Sequence, residues 1–380
     1  VGGAGQGRAS AAPERYFDRL RGELSAYGEG VHLVGGPATE VALADATRRW
    51  GRALPAAYVD LMRSWNGLEL FQESYTLFGV GRDAVGGDSI AQTAARHAGV
   101  AESPRLAGAL LVGRAASGEL FWLGTDGSPD GATAEGPVYE QEEPSDADDD
   151  GVRLDESAPL PWIVGSGFEP FLYALLAGHR VLVDREGEYR ETVFEGDGEL
   201  TLSAELKRLR RSLKADPGSA ASWHRLGKRL VAALDSGVAP RGAAEEAIDA
   251  LRRATELDSA QPWGWYDLGQ GLARLGAVDE SLAAFREASR CCPAREQSSY
   301  FAAVGALVAS DAGRGKEAAD FRGRALELDP AIGRHQRDAG QAELEAGRPR
   351  EALERLSIAR AVVPTDLQTL ALLAKAKSAG

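Results

Sequence analysis

The chain has 380 residues, 44% of them apolar and 26% charged, a make-up that suits a globular protein with room for two or three separately packed domains. No apolar run approaches the roughly 20 residues that a membrane helix needs, so no membrane partner is expected. The net charge of -14 is uneven: residues 203–380 hold 27 of the 43 Lys and Arg and 24 of the 57 Asp and Glu, leaving 16 against 33 for residues 1–202. So acidic a first half repels phosphate, which argues against nucleic acid as its partner and favours a cationic one.

The opening segment, VGGAGQGRASAAPE, is glycine-rich but follows no strand, so residues 1–13 read as a flexible tail and not as a phosphate loop. It has neither a basic start nor an apolar stretch, and the expectation is a cytoplasmic protein without a secretory signal. Next, TEVALADATRRWGRA carries Val41, Leu43, Ala46 and Trp50 as an amphipathic helix. In LPAAYVDLMRSWNGLELF, Pro55 suits the first turn of a second helix. Tyr58, Leu61, Met62 and Trp65 recur at i, i+3, i+4 and i+7, and Asn66-Gly67 offers a left-handed stop.

The period then changes. SYTLF reads as a strand, and GALLVGRAASGELFWLGTD, residues 108–126, as two more around a turn, with Leu110, Val112, Leu120 and Trp122 available to one face. PVYEQE is a further strand. SGFEPFLYALLAG, residues 166–178, reads as a serine-capped helix burying Phe168, Phe171, Leu172 and Leu175. HRVLVDREGEYRETVF alternates like a hairpin, and SAELKRLRRSLKAD continues as a linking helix. Helices, strands and a closing helix together make an α+β domain.

Between these elements lies an acidic stretch holding Glu140, Glu142, Glu143, Asp146, Asp148, Asp149 and Asp150. Asp146, Asp148, Asp150 and Gly151 match the start of a calcium loop, but its twelfth position is Ser157, with Glu156 one place early. A solvated loop and an acidic bait for a basic protein surface are the other two readings.

From residue 216 on, the chain repeats itself. WHRLGKRLV, WYDLGQGLARLG and QRDAGQAELEAG bring Leu226-Gly227, Leu268-Gly269 and Ala339-Gly340 into register. A second stripe follows each: Ala247, Leu251 and Ala254; Ser281, Phe285 and Ala288; Ala352, Leu356 and Ala359. A further unit, residues 298–330, keeps Ala318, Ala325 and Pro330 but carries Phe321 one place early and a less distinct first helix. The first unit has eight extra residues around DSGVAPRG, and TDLQTLALLAKAK would cap the stack.

This pattern resembles the tetratricopeptide repeat, which implies an all-α solenoid with a groove lined by the first helix of each unit. Its groove positions fall on His224, Lys228, Trp263, Tyr266, Gln270, Arg334 and Arg337. Cations and aromatics together suit an acidic or aromatic-bearing chain; a solvated or packing role for any one of them stays open. The first half, through Leu54-Pro55, Tyr58, Leu61, Asn66-Gly67, VGRAASGELFWL and Phe168, Phe171 and Leu172, resembles the SUKH superfamily of toxin-immunity proteins and cell-wall regulators. That resemblance implies protein binding, not catalysis.

Cys291 and Cys292 are adjacent and read as small buried residues in a reducing compartment. The five histidines, His32, His97, His179, His224 and His335, are scattered, and no HExxH or CxxC occurs, so no metal, cofactor or named reaction is expected. The expected plan is a tail (1–13), a SUKH-like α+β domain (14–178), a hairpin and linking helix (179–215) and tetratricopeptide repeats (216–380). The expected function is a protein-protein adaptor, in its sharper form an immunity protein occluding a basic toxin. A scaffold working through the repeats and an unrecognised enzyme are the alternatives.

Overall fold

A computed structural model describes residues 14–97, 103–125, 135–142, 160–196 and 198–379. They form two compact units, one reaching to Ser222 and the other beginning at Trp223.

The first unit runs α1 (Glu14–Leu24), β1 (His32–Val34), α2 (Glu40–Trp50), α3 (Ala56–Ser64), β2 (Leu68–Leu70), β3 (Tyr75–Leu77), α4 (Ser89–His97), β4 (Leu110–Ala115), β5 (Glu119–Thr125), β6 (Glu135–Glu142), β7 (Trp162–Gly165), α5 (Phe168–His179) and α6 (Leu202–Ala215). Among the described residues its seven strands pair antiparallel in chain order, an α+β arrangement. Thr39 caps α2 by accepting from the Ala42 amide at 3.1 Å, and Gly51, at φ 78°, closes it in the left-handed region.

One face of the sheet is covered by Tyr58, Leu61 and Met62 of α3 and Phe168, Phe171 and Leu172 of α5, all buried. The four apolar residues expected on a single face of β4 and β5 divide. Leu110 and Val112 join Phe121 and Leu123 beneath those helices, while Leu120 and Trp122 join Leu111, Phe78 and Leu106 on the opposite face. The cause is a bulge: Leu110 faces Leu123 and Leu111 faces Trp122, but Gly113, not Val112, faces Phe121. One extra residue slips the pairing by one place.

Helix α3 ends on Trp65 in extended conformation and not on a left-handed Asn66; the Asn-Gly pair serves to hold a loop instead. The Asn66 side-chain amide donates to the Val80 carbonyl at 3.0 Å and accepts from its amide at 2.7 Å. A Cβ on Gly67, which has φ +91°, would stand 2.1 Å from the Val85 carbonyl oxygen. The Tyr58 hydroxyl donates to the Phe78 and Gly79 carbonyls from the same side. Residues 79–87, GVGRDAVGG, thus form a loop clamped to the end of α3.

Two further expectations change. Ser166 does not cap α5; the buried Asp216 carboxylate accepts from its amide and hydroxyl, both at 2.8 Å, and from the Gly218 amide at 2.9 Å. Residues 179–194 form no paired strands: His179 still ends α5, turns closed by single bridges such as Val183 to Tyr189 follow, and Glu191–Val193 is one turn of 3-10 helix. Part of the segment after Gly87 is helix α4, stitched to β4 by Ser89 donating to the Leu111 carbonyl and Thr93 accepting from the Leu111 amide.

The second unit consists of α7 (Ala220–Asp235), from Trp223 on, α8 (Ala243–Leu257), α9 (Pro262–Arg274), α10 (Val278–Cys291), α11 (Arg295–Asp311), α12 (Gly315–Leu328), α13 (Ile332–Glu345), α14 (Pro349–Val362) and α15 (Leu367–Ala379). One glycine contact recurs four times. A Cβ on Gly227 would lie 2.5 Å from Leu251, on Gly269 3.1 Å from Phe285, on Gly305 2.5 Å from Phe321, and on Gly340 2.6 Å from Leu356. Only glycine lets these helices cross so closely. Gly305 therefore explains the displaced Phe321: glycine and aromatic have moved together and the contact is kept.

Helix α11 sits at the centre. Ser298, Ser299, Phe301 to Ala306 and Ala309 are all buried, and α10, α12 and α14 pack around them. The last pair meets the third through its second helix: Ile358, Ala361 and Val362 of α14 share a core with Phe301, Ala302 and Ala306. Arg322 of α12 donates to the Ala361 carbonyl at 3.0 Å.

Candidate partner-binding surfaces

The residues expected to line a groove have unequal surroundings. His224 is nearly buried, its Nε2 2.6 Å from Asp267 Oδ2, so the ring is committed to bracing α9 against α7. Lys228 is exposed. Trp263 is half-buried and meets Tyr266 and Phe301 edge-on at 5.3 and 5.1 Å, so much of its ring serves packing.

Tyr266 and Gln270, one turn apart on α9, act together: the Gln270 side-chain amide donates to the Tyr266 hydroxyl. That hydroxyl is also 3.2 Å from the hydroxyl of Tyr300 on α11. Burial raises the pKa of both phenols; Tyr300 adds to the rise at Tyr266, whereas the hydrogen bond with Tyr266 works against the rise at Tyr300. Both stay protonated at neutral pH, and only one of their two protons can lie between the oxygens. The other is left to donate outward. The Arg355 guanidinium of α14 stands 5.6 Å from the Tyr300 ring and donates to Gln336 Oε1 at 3.2 Å. A phenol donor and a cation are thereby brought together within one half-buried patch.

Arg337 spends its guanidinium on Asp338 at 2.9 Å and Asp366 at 3.3 Å, while Arg334 is exposed. Among the described residues no hydrogen bond, ion pair or ring contact joins either arginine to Trp263, Tyr266 or Gln270. The cation beside the tyrosines comes from α14, a second helix, because that helix is the one lying on α11. Sequence reading missed Tyr300 and Arg355. Aligning Gly305 with Gly269 would have put α11 in register and drawn attention to the first.

Of the acidic group in the first unit, Glu140 and Glu142 lie on β6. Glu140 faces Phe121 and Trp162, whereas Glu142 is exposed and directly opposite Glu119, an unfavourable like-charge neighbour. Glu143, Asp146, Asp148, Asp149 and Asp150, and with them the calcium-loop match, lie outside the described residues. Among the described residues no group of three or more His, Cys, Asp or Glu side chains could hold a metal ion. Cys291 and Cys292 are half-buried, not buried, and burial raises the Cys291 thiol to about 11, so it stays protonated and unreactive at neutral pH. No described helix is long and apolar enough to cross a membrane.

The second unit thus defines a helical-repeat solenoid, and the first an antiparallel α+β domain. No family model and no curated protein matches the chain. Among solved structures, that of MamA is 21% identical and is matched over 46% of this chain and 91% of its own, with a TM-score of 0.30. YrrB, described as a TPR protein with an unusual peptide-binding site, is 19% identical over 45% of this chain and 82% of its own, also at 0.30. A thermophilic TPR protein of Thermus thermophilus is 20% identical over 47% and 91%, at 0.29.

Proposed function

We propose that the chain is a protein-interaction adaptor whose repeat unit takes an acidic segment of another protein across Tyr266, Gln270, Tyr300 and Arg355. The observation that carries this reading is the tyrosine pair with its leftover phenolic proton beside the Arg355 cation. A carboxylate would accept from the phenol and offset the guanidinium charge in one place. Exposed Lys228 and Arg334 add to the attraction. The test is fluorescence polarisation of full-length protein with labelled acidic and charge-neutralised peptides. Tyr300→Phe should weaken the acidic peptide about fivefold, as loss of one hydrogen bond of roughly 1 kcal/mol does. Arg355→Glu should remove most of the affinity, and equal binding by wild type and Arg355→Glu would sink the proposal.

The finer reading gives the first unit a role of its own. Its residue pattern resembles the SUKH superfamily, and its excess of 33 carboxylates over 16 bases within residues 1–202 supports a basic partner. In that reading the unit occludes a basic toxin, and binding weakens steeply with salt. Capture of a basic, toxin-like protein that survives high salt undiminished would contradict it.

A further inference from the structure

The acidic balance of the first unit hides a local reversal between α5 and α6. A cavity of about 510 Å³ there is lined by Arg180, Arg190, Lys207 and Arg211, with the hydroxyls of Thr201 and Ser203, and no carboxylate lines it. Arg180 reaches Glu23 at 3.0 Å, and Arg190 Nε donates to the Val183 carbonyl at 2.9 Å. Lys207 and Arg211 are exposed and, among the described residues, stand in no ion pair. They lie one turn apart on a single face of α6. That helix begins beside the cavity with Thr201 as its cap, so its positive end adds to the four side-chain charges.

We propose that this cavity binds a small molecule bearing two or more phosphate groups. Arg180 is offset by Glu23, but Arg190, Lys207 and Arg211 repel one another around the cavity, and an anion placed among them relieves that repulsion. Two phosphoryl groups, at about -1.5 to -2 each, suffice to match the three cations that, among the described residues, stand in no ion pair. Carboxylates would need about three groups in the same space to do so. Guanidinium forks approaching from two elements suit phosphoryl oxygens that point in several directions. The volume falls in the range of small-ligand sites, roughly 300–1,000 Å³, and the polar, hydroxyl-bearing lining disfavours an apolar ligand.

Isothermal titration calorimetry of the full chain with inorganic tripolyphosphate, in about 150 mM chloride to screen loose surface attraction, tests the proposal. Saturation of one site below about 1 mM is expected, with citrate at least tenfold weaker. The double variant Lys207→Gln/Arg211→Gln should lose affinity about tenfold or more. Arg180→Gln/Arg190→Gln enters the cavity from the other side and should do the same, so one pair decides if the other misfolds. Absence of saturation, unchanged affinity in a folded variant, or citrate binding as tightly as tripolyphosphate would overturn it.

Discussion

Gly305→Ala and Gly323→Ala introduce the same methyl into neighbouring helices and should act in opposite directions. At Gly305 the new Cβ would stand 2.5 and 2.6 Å from two ring carbons of Phe321, about 1 Å inside normal carbon contact. The ring cannot easily give way: it is buried at 4% exposure with the Arg286 guanidinium 5.1 Å above it. Overpacking of this kind costs about 1–3 kcal/mol, against which alanine returns up to ~1 kcal/mol of helix propensity. At Gly323 nothing lies within 4 Å of the new atom, so only the gain remains. The propensity contribution is common to both, and the two variants should therefore differ in stability by about 1–3 kcal/mol. Hydrogen exchange of peptides from α11 and α12 in the full chain reads the local opening directly, without assuming that the two units unfold together. Gly305→Ala should exchange faster there and Gly323→Ala slower, and Phe321→Leu added to Gly305→Ala should restore part of the loss. Equal shifts in the two single variants would refute the claim that close crossing at Gly305 holds the third pair together.

Two further substitutions probe the first unit. His179 is 2% exposed, stacked on Phe71 at 4.2 Å, with His32, Tyr75, Tyr189 and the cation Arg208 around it. Burial first, then Arg208 and His32, lower it to about 4. Because the folded value lies below the unfolded one near 6.5, its contribution is fully present above that value and is lost as pH falls from about 6.5 towards 4, on the order of 2 kcal/mol by pH 5. Urea midpoints at about pH 7 and pH 5 should separate less in His179→Phe than in wild type, and an identical separation would count against neutral burial of the ring. Asp216→Ala removes the acceptor of three hydrogen bonds at a 1% exposed position and should cost about 3 kcal/mol. Exchange protection should fall near Ser166 and Gly218 while α12 to α15 keep theirs.

The repeat unit was legible because its signals are local: glycines at helix crossings, small residues seven places apart with a large apolar one between, and prolines after the second helices. Its least distinct helix, α11, was obscure for a physical reason. A helix covered by neighbours on several sides carries no polar face, so the amphipathic period that marks the others is missing. In the first unit, β1, β2 and β3 have three residues each, too few to show an alternation. The bulge at Val112 placed Trp122 on the face opposite the expected one, and nothing in the local pattern announces it. Ser166 looked like a helix cap because serine before an apolar helix usually is one; its actual partner, Asp216, lies fifty residues away. Tyr300 and Arg355 come together only because α14 returns to α11, a long-range choice that no single repeat spells out.

That return also governs how the second unit comes apart. In an ordinary stack each pair touches only its neighbours through successive helices, and the end can fray one pair at a time. Here α14 is wedged against the helix at the middle, so releasing the last pair strips cover from Phe301 and Ala302 at the heart of the unit. Only α15, whose Leu367 is already 80% exposed, is free to peel away by itself. The unit should accordingly lose its structure from α11 to α14 in a single step, behaving less like a zip than like an arch with α11 as its keystone.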